Sequence, residues 1–130
     1  MTGPAHIRTP LGRVRGRGSA KSGTGAFLTQ RLTAIANIPL TIAAIVILVM
    51  LLGRNQAAAA QILGSPAVAI IMILFMISIT MHMRIGMQTI IEDYVHDELA
   101  KLALIIANTL FCVGIAFTAI FAILKLAFGL

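Results

Sequence analysis

His82 lies inside the largely apolar run Ala67–Ile91, and that run ends on Glu92-Asp93-Tyr94. An ionisable side chain at membrane depth is costly, and it usually faces a bundle interior and marks a functional site. An imidazole there needs an occupant for its ring nitrogens, and an iron atom is the obvious one. Asp93-Tyr94 has the makings of the mouth of a second site, because a phenol at a membrane boundary can donate to a carbonyl oxygen without burying a charge. Arg31, just ahead of the preceding apolar run, offers a fixed planar cation that matches carboxylates.

These residues must be positioned by helices. At 100° per residue, His82 and Asp93 share one helix face, about 16 Å apart along the axis. Ser78, Gly86 and Thr89 fall on the same stripe, whereas Ile71, Leu74, Ile77 and Ile91 are read as covering other directions. Membrane interfaces take small and polar residues and leave large apolar ones to lipid, so this stripe points at a partner or a prosthetic group. Two readings of His82 stand side by side: an axial haem ligand, with Gly86 giving a flat ring room to approach, or a histidine that hydrogen-bonds a neighbouring helix. No second intramembrane histidine exists, since His6 precedes the spans and His96 follows the second. A bis-imidazole iron would therefore need a ligand from another chain. Arg84 faces away from His82 and either snorkels to the interface or pairs with a partner's carboxylate.

Composition fixes the setting. Of 130 residues, 59% are hydrophobic and 11% charged, too apolar for a small soluble domain. Three runs, 32–52, 67–91 and 102–128, each reach the roughly 20 residues that cross a bilayer core as helix. The fold class expected is an all-α membrane protein of three transmembrane helices (domain 26–130) behind a disordered basic arm (1–25). The arm carries Arg8, Arg13, Arg15, Arg17 and Lys21 among glycines and prolines. RNA binding is one reading of such an arm, but aromatic residues do not interleave with those arginines, and it is read as a flexible cytoplasmic arm with no nucleic acid partner. The positive-inside rule then puts the N-terminus in the cytoplasm and the C-terminus outside. Arg31 and Asp93-Tyr94 both fall at the cytoplasmic surface in this orientation, so they could share a site. The arm's glycines and prolines argue against an amphipathic transit peptide, and the length of the first apolar run argues against a cleaved signal. Pro39 is expected to bend the first helix, with Asn37 and Thr41 satisfying the carbonyls it frees. Gly64-Ser65-Pro66 closes the outer connection and starts the second span. Cys112, the single cysteine, is read as a small packing residue.

Gln30-Arg31-Leu32-Thr33-Ala34 opening the first span, His82-x-x-x-Gly86-Met87 in the second, and Asp93-Tyr94 closing it form a constellation. Together they resemble the hydrophobic membrane-anchor subunit family of succinate dehydrogenase (complex II), in the form called D and most like alphaproteobacterial members. The resemblance covers about residues 20–128. It implies a chain forming half of a heterodimeric helical bundle in the bacterial inner membrane, beside a second anchor subunit (C), an iron–sulfur subunit and a flavoprotein subunit. It implies haem b shared between the anchors, with His82 as axial ligand and Arg31 near the haem propionates and the quinone mouth. Tyr94 would hydrogen-bond a ubiquinone carbonyl oxygen, and Asp93 would help organise that pocket. Related sequences often carry His and Trp shortly before the matching Arg. Here those places read Gly25-Ala26-Phe27-Leu28, and the chain has no Trp. The departure removes an interfacial anchor and leaves His82 and Tyr94 untouched.

Two other readings are carried. One is a haem-less anchor of a related fumarate reductase. The other is a small membrane transporter, which would place a carboxylate mid-span, whereas all four acids here cluster within Glu92–Glu98 at an edge. A nucleotide-binding glycine motif and a cysteine cluster are both missing from the sequence. Catalysis of succinate oxidation would accordingly belong to an assembled complex, with this chain as a non-catalytic part.

Overall fold

A computed structural model describes residues 23–129. Residues 1–22, most of the predicted basic arm, lie outside the described residues. The chain forms α1 (Gly23–Leu51), α2 (Gln56–Gly64), α3 (Pro66–Tyr94) and α4 (Glu98–Ala127). α1, α3 and α4 are each long and apolar enough to cross a membrane. At 1.5 Å per residue they run to about 45 Å, well beyond the roughly 30 Å of a hydrocarbon core.

α1 and α4 start well ahead of their predicted spans and stop one residue short of them, and α3 exceeds its span at both ends; the overshoots share one reason. Hydropathy marks only the part of a helix that suits lipid, while backbone hydrogen bonds continue into polar sequence. α1 begins at Gly23, ahead of both the residue-25 arm boundary and Leu32, and continues through Pro39. The expected rescue around Pro39 is not found. Asn37 Oδ1 is buried without a partner, and among the described residues neither Asn37 nor Thr41 hydrogen-bonds a freed carbonyl. α1 gives way to a turn in which Gly53 takes φ 71°, a left-handed conformation that glycine adopts without a Cβ penalty.

α2 occupies the connection read from sequence as an outer loop. Its Ala57–Ala60 segment is the best helix-forming sequence available, and Asn55 caps it by accepting a bond from the Ala58 amide at 2.9 Å. Hydropathy windows sized for a membrane span overlook so short a helix. The Gly64-Ser65-Pro66 punctuation falls where expected: Ser65 is extended between the two helices and Pro66 is the first residue of α3. Asp97 caps α4 through the Ala100 amide at 3.1 Å. Glu98 in the first turn and Lys125 in the last complement its dipole.

α3 is the centre of the layer. It packs against α1 on one side and α4 on the other, and α2 lies against α4 and the start of α3. Gly64 sets that last approach: a Cβ there would fall 2.7 Å from the Leu126 carbonyl oxygen. The buried apolar residues are few and mostly small (Ala44, Ile47, Ala69, Ile91, Cys112), while Ile35 is 67% and Phe117 73% exposed. Small residues let helices approach closely, and the large apolar side chains are left for lipid or for other subunits.

Candidate functional site

α1 and α3 meet through polar atoms where sequence had placed a functional stripe. Ser78 Oγ donates to the Thr33 carbonyl at 3.4 Å, and His82 Nδ1 lies 3.1 Å from Thr33 Oγ1. One turn on, Gly86 lets the side chain of Gln30 lie against the helix, its amide nitrogen 3.3 Å from where a Cβ would stand. The room expected over Gly86 for a flat ring is thus taken by an amide. The Gln30 carbonyl oxygen of the side chain is buried with no hydrogen-bond partner among the described residues.

Beside these contacts runs a groove of about 480 Å³, lined by His82, Ile85 and Thr89 of α3 and by Phe27, Gln30, Arg31 and Ala34 of α1. The Arg31 guanidinium stacks over the Phe27 ring at 4.5 Å from its centroid, a cation–π contact that holds the charge at the groove wall. Arg31 and Arg84 form no ion pair among the described residues, where the one salt bridge is Lys101–Glu98 at 3.6 Å.

The register decides which predicted residues come together. Thr33 opposite His82 and Gln30 opposite Gly86 place Arg31 level with Arg84 and Ile85 on antiparallel helices. Arg31 and His82 therefore share a groove. Asp93 and Tyr94 do not themselves line that groove, although its far end at Gly23 lies level with Asp93 in this register. Both are exposed at the end of α3, Tyr94 by 78%, and Tyr94 stands ten residues beyond Arg84, about 15 Å along the axis. His96 is exposed in the connection after α3.

The opposite side of α3 has its own polar contact, unforeseen from the sequence. The Arg84 carbonyl accepts a bond from Asn108 Nδ2 of α4 at 3.0 Å. Arg84 lines a smaller cavity of about 230 Å³ together with Thr80 and Cys112. Cys112 is the most deeply buried core residue at 2% exposure, in keeping with a packing role, and its thiol lies 3.6 Å from Asn108 Oδ1. Ile77 and Met81 line both this cavity and an apolar groove between α1 and α3, so these openings lie along one side of α3.

The arrangement suits a planar iron cofactor on one count in particular. With Nδ1 engaged by Thr33, His82 keeps Nε2 without a hydrogen bond among the described residues. Metal-bound histidines show this pattern, one nitrogen held and the other presented. No group of three or more His, Cys, Asp or Glu side chains gathers among the described residues.

Comparison with known proteins agrees with this architecture. The profile of the family described as "Succinate dehydrogenase/Fumarate reductase transmembrane subunit" matches residues 6–116. A Rickettsia bellii (strain RML369-C) protein, "Succinate dehydrogenase hydrophobic membrane anchor subunit", is 32% identical over 110 residues, covering 82% of this chain and 86% of that protein. No solved structure matches the chain.

Proposed function

This chain belongs to the succinate dehydrogenase/fumarate reductase transmembrane subunit family, a membrane anchor, and we propose that it is the D-type anchor of a succinate:ubiquinone oxidoreductase of a bacterial inner membrane. In this reading His82 Nε2 would be one of the protein ligands that hold the iron of haem b, and a second anchor subunit would supply the other. That partner covers the side of α3 onto which the Ile77–Met81 grooves open, completing the helical bundle. The observation that carries the reading is one groove holding both a histidine with one nitrogen unengaged and an arginine without a carboxylate partner among the described residues.

The roles follow from charge and position. Arg31, already fixed by Phe27, pairs with a propionate at the groove wall. Tyr94, at the far end of α3, donates its phenolic hydrogen to a ubiquinone carbonyl oxygen, and Asp93 orders the approach to it. Ubiquinone reduction takes two electrons and two protons, and a phenol at the helix end meets the substrate where water can reach. Haem b, when bound, takes up and gives back one electron at a time. The electrons come from succinate through flavoprotein and iron–sulfur subunits, which dock on the cytoplasmic side where the N-terminus lies.

Affinity purification of the tagged chain in mild detergent tests the reading. Co-purified flavin and iron–sulfur proteins, with a b-type band on reduction, are expected. Recovery of the chain free of both flavin and haem from membranes that contain it in full would contradict the proposal.

A further inference from the structure

Thr33 entered the sequence reading only as a member of a motif, with no role of its own, yet it is the one side chain among the described residues that hydrogen-bonds His82. We propose that Thr33 is a positioning residue that fixes His82 as the Nδ1–H tautomer, so that Nε2 carries the lone pair a metal requires. The inference rests on the haem reading above and adds to it the group that orients the ligand.

Proton counting gives the direction of the Thr33–His82 hydrogen bond. A threonine hydroxyl has one hydrogen and two lone pairs. Thr33 Oγ1 lies 2.8 Å from the Thr29 carbonyl oxygen and 3.1 Å from the Gln30 carbonyl oxygen. Both oxygens are acceptors only, and back-bonding to the preceding turn is the ordinary use of a helical threonine hydroxyl. Were the hydroxyl hydrogen aimed at His82, two carbonyl oxygens would face bare lone pairs at close range. With the hydrogen given to the carbonyls, a lone pair of Oγ1 faces Nδ1 at 3.1 Å, and Nδ1 must be the donor. The hydroxyl is also held in place, because Thr33 is buried at 9% exposure and its own carbonyl accepts from Ser78 Oγ. Ser78 and His82 are one turn apart on α3, so two contacts from one residue of α1 fix both the height and the facing of the imidazole.

A held Nδ1–H does two things for a metal ligand: it selects the nitrogen that binds, and it raises the basicity of that nitrogen. Loss of such an outer contact commonly costs about 10–100-fold in metal affinity. Thr33→Val keeps the shape and removes the hydroxyl, while Thr33→Ser keeps the hydroxyl.

The test compares wild type, Thr33→Ser and Thr33→Val in the whole purified complex. It reads haem retention on back-titration with a competing apoprotein, and the haem midpoint potential. Thr33→Ser is expected to match wild type. Thr33→Val is expected to lose haem about tenfold more readily and to show a more positive potential, because a less basic imidazole stabilises ferric iron less. Thr33→Cys, whose thiol is a poor acceptor, reports the same shifts if the valine variant does not assemble. Retention and potential unchanged from wild type in the hydroxyl-less variant would overturn the proposal. His82→Ala separates this failure from that of the haem reading, since full haem in that variant would sink the reading whatever Thr33 does.

Discussion

A histidine in a membrane helix can be read in two ways until its neighbours are known. Here the neighbour is a hydroxyl that holds one ring nitrogen and leaves the other unengaged, beside an arginine with no carboxylate of its own among the described residues. Tyr94 is the opposite case, a polar group at the end of α3 with 78% of its surface open. Removing its hydroxyl should leave the fold intact and affect chemistry alone. Tyr94→Phe is expected to lower quinone reduction about tenfold, the worth of one hydrogen bond in the transition state, with haem content unchanged. Steady-state quinone kinetics on the purified complex check it, and wild-type kinetics would remove Tyr94 from the mechanism.

At the scale of elements, much was legible and the gaps have physical causes. The stripe Ser78, His82, Gly86 and Thr89 was readable because helical periodicity fixes which residues share a face, and the first three of these do meet α1 or its side chains. The Thr33 and Asn108 contacts were not readable, because they depend on how far one helix slides along another. That offset is set by small-residue packing at many positions at once, and a single sequence does not display it. α2 was missed because a short helix has too few residues to shift a span-length hydropathy window. Its closest approach makes a sharp prediction. Gly64→Ala would push a methyl to within 2.7 Å of the Leu126 carbonyl oxygen, backbone that cannot swing aside. The variant is expected to lose about 1–3 kcal/mol through overpacking, seen as a lower midpoint of thermal unfolding in detergent. An unchanged midpoint would show that α2 and α4 separate at little cost.

For the whole molecule, the three long helices leave most of their large side chains uncovered, and α3 alone has a long helix on each side. Such a layer has no interior large enough to enclose a cofactor, which is why the reading requires a second anchor. Orientation follows from charge. Six cations at or before Arg31 outweigh the single Arg54 of the first connection, predicting an N-terminus in the cytoplasm and a C-terminus outside. A C-terminal alkaline phosphatase fusion should be active and a C-terminal green fluorescent fusion dark. The reverse pattern would turn the site to the other face of the membrane and part it from the soluble subunits.

The claim at the centre is that the Nε2 of His82 binds haem iron. The reduced-minus-oxidised optical spectrum of the purified complex carrying His82→Ala tests it most directly. The account predicts that the b-type band per flavin is lost or sharply diminished while the flavin and iron–sulfur subunits remain attached. A band of full wild-type intensity and position in that variant would contradict it.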